Sequence, residues 1–134
     1  VNDRRLRVSG RRNMADSLFA TGIPFLGHGD AAGHTKFGKE LQKIMAVSAG
    51  VRRFGSAALD LAYVAAGRYD GFWERGLNSW DIAAGILLVR EAGGFVSDFA
   101  SRDRALDSGD VVAANPSIHA ELLKCLNATK TDHA

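Results

Sequence analysis

The spacing of apolar positions changes several times along the chain, and each change predicts an element. Leu6 and Val8 alternate with polar neighbours, so residues 5–9 read as a short strand, and Leu18 to Thr21 reads as another, ended by Gly22 and Pro24. From Lys36 to Ala49 the apolar positions take helical spacing, with Phe37, Leu41, Ile44 and Val47 or Ser48 on one stripe, until Gly50 stops it. Val51 to Phe54 reads as a strand, Gly55-Ser56 as a turn with Ser56 a candidate N-cap, and Ala57 to Ala66 as a helix ended by Gly67. Tyr69 to Glu74 is an aromatic strand, 75–79 a loop, and Trp80 to Ala92 a helix stopped by Gly93-Gly94. Phe95 to Asp98 predicts a strand, 101–110 a surface loop, and Val111 to Ala114 a buried strand. Asn115 caps and Pro116 starts a last helix to about Leu126, with a frayed tail over 127–134.

Strands and helices alternate, which predicts an α/β fold: a mixed, largely parallel sheet with helices on both faces, in one domain over residues 1–126. In such a sheet ligands gather beyond the carboxyl ends of the strands. Three strand-to-helix junctions are present, at Phe54-Gly55-Ser56, from Glu74 to Asp81, and at Ala114-Asn115. Parallel strands would open all three at one edge.

Composition narrows the classes. The chain has 134 residues, 46% of them apolar and 24% charged, as in an ordinary globular domain. No apolar run approaches the roughly 20 residues that span a bilayer, and no segment reads as a signal peptide. The single cysteine, Cys125, rules out a disulfide within the chain and fits a cytoplasmic setting. His28, His34, His119 and His133 have no zinc-like spacing. The chain opens at Val1 and its first Met is Met14, which predicts a piece of a longer protein.

The net charge of +2 conceals an asymmetry, with ten Lys and Arg against four Asp and Glu through residue 53 and seven against eleven after it. The cluster Arg4, Arg5, Arg7, Arg11 and Arg12 admits nucleic-acid binding, but it has no interleaved aromatics, so a solvated or subunit-facing surface fits it better. The glycine-rich stretch 27–34 lacks the spacing of a phosphate loop and reads as a flexible loop.

Two junctions hold groups with chemical potential. Gly55 permits close backbone approach, and Ser56 and Ala57 offer N–H groups at a helix start, where an anion or hydroxyl can bind. The spacing fits equally well with Ser56 as a simple cap. Glu74 ends a strand and Asp81 stands near the next helix start, so both carboxylates should face one edge. Paired carboxylates without His or Cys suit a hard cation such as Mg²⁺. A helix-dipole role for Asp81 and a solvated strand end for Glu74 remain open at this point. Asp70, Glu91, Trp73, Trp80, His28 and His34 carry weaker signals.

These residues resemble a known family. The run from Val51 through Phe54-Gly55-Ser56-Ala57-Ala58 to Ala62, then Trp73-Glu74, Trp80-Asp81-Ile82-Ala83-Ala84-Gly85 and Glu91-Ala92-Gly93-Gly94, is similar to the C-terminal half of the inositol monophosphatases. Bacterial members of the SuhB type look closest. Arg7-Val8-Ser9 and Thr21-Gly22-Ile23-Pro24 also look like family sequence. The resemblance implies that Asp81 ligates metal, that Glu74 hydrogen-bonds a ring hydroxyl of the substrate, and that Gly55, Ser56 and Ala57 form the turn contacting the sugar or inositol ring. It implies Mg²⁺ as cofactor, inhibition by Li⁺, hydrolysis of a small polyol phosphate such as inositol 1-phosphate, and a homodimer.

The family's D-P-[LI]-D-G-T signature, part of its metal-binding N-terminal half, is absent here. The chain by itself is therefore expected to be inactive. Related phosphatases of histidinol phosphate, fructose bisphosphate or nucleotide 3′-phosphate are alternatives, although the short loop after Glu74 favours a small polyol. A binding role toward RNA or the transcription machinery is another.

Overall fold

Five short strands form one mixed sheet, and the alternation of their side chains divides the core in two. The structure, a computed structural model, describes residues 6–22, 31–53 and 55–128. A single 3₁₀ turn, Met14–Asp16, precedes β1 (Leu18–Thr21). The remaining elements are α1 (Ala31–Val47), β2 (Gly50–Arg52), α2 (Ala57–Ala65), β3 (Gly71–Glu74), α3 (Ser79–Glu91), β4 (Phe95–Ser97), α4 (Ala105–Ser108), β5 (Val111–Ala114) and α5 (Pro116–Ala128).

The strand order is β2-β1-β3-β5-β4. β1 runs parallel to both β2 and β3, and β5 lies antiparallel to both β3 and β4. β5 alone therefore runs against the other four. The sheet is mixed, with helices on both faces as expected. One expectation fails with β5: the Ala114-Asn115 junction opens at the edge opposite the other two.

Successive strand residues point to opposite faces. Ala20, Phe72, Val111 and Ala113 pack with Leu61 of α2 and Ile82 of α3, while Phe19, Trp73, Val112 and Ala114 pack with Ile44 of α1 and Leu122 of α5. Fully burying one such large side chain contributes on the order of 2 kcal/mol, so each face is an anchor in its own right.

Several boundaries differ from the sequence reading. Residues 6–9 belong to no sheet. The Val8 N–H donates to the Ala92 carbonyl at 3.0 Å, and Leu6 and Val8 pack on the α2–α3 side, which accounts for their alternation without a partner strand. α1 begins at Ala31 rather than Lys36, so it includes the end of the stretch read as a glycine-rich loop; residues 27–30 of that stretch lie outside the described residues. The C-terminal half of α1 anchors the helix, through Ile44 and a buried Glu40.

β2 is a three-residue strand from Gly50, and Phe54 of the predicted strand lies outside the described residues. β3 starts at Gly71 because Tyr69 and Asp70 are used otherwise: the Tyr69 N–H donates to Tyr63, and the Asp70 carboxylate accepts the Leu18 N–H at 2.7 Å. α5 continues through Asn127 and Ala128, and the Asn127 amide donates to the Phe99 carbonyl at 3.0 Å, so this part of the predicted tail is ordered helix.

The predicted surface loop 101–110 contains the short helix α4. Its end at Gly109 adopts φ 76°, a left-handed conformation that glycine accepts without a steric cost. A side chain there would also strike the Leu77 carbonyl, at 2.2 Å from a Cβ. The Gly109 carbonyl accepts the Leu77 N–H at 3.0 Å, and Asp110 accepts the Gly76 N–H at 3.0 Å. This hidden turn thereby holds the 75–78 loop that joins β3 to α3.

Candidate active-site cleft

Three parallel strands, β1, β2 and β3, end at the same sheet edge, and the segments leaving them enclose a cleft of about 390 Å³. Its walls are Gly22 after β1, Arg53 after β2, Gly55 to Ala58 at the start of α2, Glu74 at the end of β3, Leu77, and Asp81 on α3. All five residues singled out from the sequence, Gly55, Ser56, Ala57, Glu74 and Asp81, meet here. Sequence reasoning missed Gly22, Arg53, Ala58 and Leu77 as wall residues. Gly22 could have been found as the residue following a strand of the same edge.

The α2 wall is built by its first turn. Gly55 takes φ 80°, which turns the chain out of β2. Ser56 is then extended, and its hydroxyl oxygen accepts the Leu59 N–H at 3.2 Å, so it is an N-cap. Its hydroxyl hydrogen remains available to an acceptor in the cleft. The Ala57 and Ala58 N–H groups have no acceptor within the helix, which makes this end electropositive. The Arg53 guanidinium adds a formal positive charge on the same side.

The opposite wall is acidic. The Glu74 carboxyl rests against Gly22, close enough that a Cβ there would lie 2.3 Å from Cδ. Burial, and secondarily the nearby Asp60, push Glu74 up to about 7. Asp60, one turn into α2 and outside the cleft lining, is 1% exposed, and burial lifts it to about 6. Its Oδ1 is buried with no hydrogen-bond partner. Asp81 is exposed in the first turn of α3, its N–H donating to the Asn78 carbonyl at 3.0 Å.

Behind this wall the β3 end is locked. Arg75 makes a two-pronged ion pair with Glu40 of α1, at 2.7 and 2.6 Å, and its guanidinium lies 3.8 Å from the centre of the Phe99 ring. The buried Glu40 charge is thus paired and hydrogen-bonded, as burial demands.

The weaker candidates fall elsewhere. Asp70 is fully buried at the far edge, bonded to the Ser9 hydroxyl, the Leu18 N–H and Arg11, while Asn115 ties Ser9 and the Arg11 carbonyl into the same cluster. That cluster secures Ser9 and Arg11 at this edge. Trp73 is core, Trp80 is 78% exposed beside Asp81, and Glu91 is exposed at the end of α3. His28 lies outside the described residues, as does the side chain of His34. A second hollow, of about 350 Å³ between β4 and α5, contains Ser97 and His119 bonded to each other at 2.9 Å. Burial holds His119 below its usual range.

Taken together, an α/β sheet with a cleft at one carboxyl edge, an electropositive helix start on one side and two carboxylates on the other defines a chain equipped for small anionic or polyhydroxylated ligands. Comparison with known proteins makes this specific. The profile of the inositol monophosphatase family matches residues 1–131, and the chain belongs to that family. It is 59% identical over 126 residues to the inositol-1-monophosphatase of Mesorhizobium japonicum, covering 94% of this chain and 46% of that protein. It is 49% identical over 123 residues to the Nus factor SuhB of Pseudomonas aeruginosa, covering 92% and 45%. The crystal structure of the extragenic suppressor protein suhB from Bartonella henselae superposes with a TM-score of 0.85 at 51% identity, over 93% of this chain and 47% of that one. The chain spans about half the length of the relatives it matches.

Proposed function

We propose that this chain forms the polyol-binding wall, and one metal-ligating side, of a Mg²⁺-dependent phosphatase acting on a small polyol phosphate, with inositol 1-phosphate as the expected substrate. The observation that carries this reading is the cleft that gathers Gly55, Ser56, Ala57, Glu74 and Asp81. In it, Glu74 holds a hydroxyl of the polyol, and the Ser56 hydroxyl with the free N–H groups of the α2 start orients the ring. The inositol-1-monophosphatase name of the Mesorhizobium relative supports the substrate class.

The side chains fit a hard cation in kind. The charged donors of the cleft are carboxylate oxygens, with no thiolate or imidazole among its lining residues, which suits Mg²⁺. They do not suffice in number: among the described residues no group of three His, Cys, Asp or Glu could hold a metal ion. Asp81 would hold Mg²⁺ from this side, and the remaining ligands would come from the part of the whole protein that this sequence does not include. When bound, the ion supplies a water of lowered pKa and neutralises charge on the phosphate.

Residues 1–134 alone are accordingly expected to release no phosphate. In the full-length protein, Asp81→Asn should abolish hydrolysis of inositol 1-phosphate in the presence of Mg²⁺. Turnover by the isolated chain near that of the full-length protein, or an Asp81→Asn variant of undiminished rate, would overturn the proposal. Inhibition by Li⁺, a homodimer and a cytoplasmic location belong to the same reading. Among the described residues no helix is long and apolar enough to cross a membrane.

A second role has one observation in its favour, the Nus factor name of the Pseudomonas relative, which points to transcription. The basic N-terminal cluster would be the contact, with Arg7 and Arg12 as its free members among the described residues, since Arg11 pairs with Asp70 at 3.4 Å. Charge reversal at Arg7 and Arg12 should impair such binding and leave hydrolysis intact, whereas Asp81→Asn should do the reverse.

A further inference from the structure

Glu74 stands at a weak point of the sheet. β1 pairs with β3 only as far as Thr21 and Trp73, whereas β5 continues to Val111, opposite Glu74. On its β1 side the last residue of β3 therefore has no partner in the ladder. Its two chain neighbours are held by side chains instead. The Thr21 hydroxyl donates to the Trp73 carbonyl at 2.7 Å, and the Arg75 guanidinium donates twice to Glu40 of α1. Successive residues of a strand point to opposite faces, so Glu74 enters the cleft while Arg75 leaves on the other side, where Trp73 and Phe99 belong to the α1–α5 core.

The Glu40–Arg75 pair is better suited to fixing geometry than to adding stability. The Glu40 side chain is fully buried and that of Arg75 is 32% exposed. Taking such charges out of water cancels much of what their attraction gains, so apolar side chains of similar size would join α1 to the β3 end about as firmly. What apolar side chains cannot supply is direction. Two bonds of 2.7 and 2.6 Å fix the guanidinium plane, and the Phe99 ring, its centre 3.8 Å away, fixes it from a second side. The backbone of Arg75, and with it the peptide that joins it to Glu74, is thereby tied to α1. The residues that follow are held separately, the Gly76 N–H by Asp110 and the Leu77 N–H by the Gly109 carbonyl. Asp81 lies beyond those anchors, on α3.

We propose that the Glu40–Arg75 pair positions Glu74 for polyol recognition. Helix α1, which contributes none of the residues lining the cleft, sets the placement of the Glu74 carboxyl through the Arg75 backbone. This rests on the polyol-wall reading of Glu74. The pair acts on KM rather than kcat, because Asp81 on the metal side is held by other contacts.

The test uses the full-length protein with Mg²⁺ and inositol 1-phosphate. Glu40→Met combined with Arg75→Met removes both charges at once, leaves no unpaired ion and keeps similar volume, so this variant should melt near wild type. Its KM should rise about tenfold with kcat within about twofold, since a displacement on the order of 1 Å weakens a positioned contact by that much or more. Arg75→Lys is the second variant: it keeps a cation against Glu40 and loses the two-pronged geometry, and KM should rise about threefold. Both rises should vanish in a Glu74→Gln background, where KM should stay within about twofold of Glu74→Gln alone, because the pair acts only through Glu74. General loosening of the fold would persist in that background. A folded variant with wild-type KM would overturn the proposal, as would a KM rise that survives Glu74→Gln or a loss confined to kcat. Glu74→Gln by itself tests the layer beneath and should raise KM. If it leaves KM unchanged, the polyol-wall reading fails and takes this inference with it.

Discussion

Replacing Gly22 by alanine is the sharpest test of how Glu74 is held. The added Cβ would lie 2.3 Å from Cδ and Oε1 of Glu74 and 2.4 Å from Oε2. Ordinary contact begins at 3.4 Å, so the carboxyl must withdraw by roughly 1 Å. The backbone at Gly22 is not in the left-handed region, so alanine brings no strain of its own. The obstacle is the end of a flexible side chain, which can rotate away, so the fold should lose little stability.

The ligand should lose a great deal. A hydrogen bond to a charged group is worth about 1.5–3 kcal/mol, which corresponds to between about tenfold and a hundredfold. A displacement near 1 Å is enough to forfeit most of it. On the proposed polyol-wall reading of Glu74, phosphate release from inositol 1-phosphate by the full-length Gly22→Ala protein should therefore show kcat/KM reduced by about tenfold to a hundredfold, mainly through KM, since that reading has the lost contact made to the bound polyol throughout. A thermal melt should place the variant within about 1 kcal/mol of wild type. If the variant folds and keeps kcat/KM within about twofold, the carboxyl position is irrelevant to the substrate and the reasoning is refuted.

Asp70→Ala should destabilise the chain by about 3 kcal/mol in urea unfolding, because the Leu18 N–H and the Ser9 hydroxyl would lose their acceptor. Ser56→Ala removes the α2 N-cap and should cost about 1 kcal/mol in the same measurement. Stability should also depend on pH through two buried carboxyls, Asp60 and Glu74. Asp60 is raised from 3.8 to about 6 and Glu74 from 4.5 to about 7, so the folded state binds their protons more tightly than the unfolded chain. Their contribution is complete below about pH 4 and is lost as pH rises through 6 to 7; the stability gap between wild type and an Asp60→Asn, Glu74→Gln double variant should shift in wild type's favour on acidification over that window.

Much of the cleft was legible along the chain because its parts lie at junctions that local chemistry marks. Gly55-Ser56 announces a helix start, and Ser56 does cap α2. Glu74 and Asp81 bracket a short loop between a strand and a helix, and they line one wall region. The Asn115-Pro116 start of α5 was equally plain, with the Asn115 side chain accepting the Ile118 N–H at 2.9 Å. By contrast, Asp60 carried no local signal: a polar residue in a helix reads as solvated until the packing around it is known.

By itself, then, the sequence determined where chain segments turn, which faces they bury, and which residue types meet at a strand end. These follow from short-range sterics, capping and the periods of burial. Tertiary structure alone decided the direction of β5, which an alternating pattern cannot encode because it reads the same both ways; reversal of that strand moves Asn115 from the cleft to the Ser9–Asp70 cluster. It also decided that residues 101–110 fold into α4 and hold the Leu77 loop, and that Glu40 is buried against Arg75. Long-range contacts govern each of these outcomes, and they also bring Gly22 against Glu74 across the parallel strands β1 and β3.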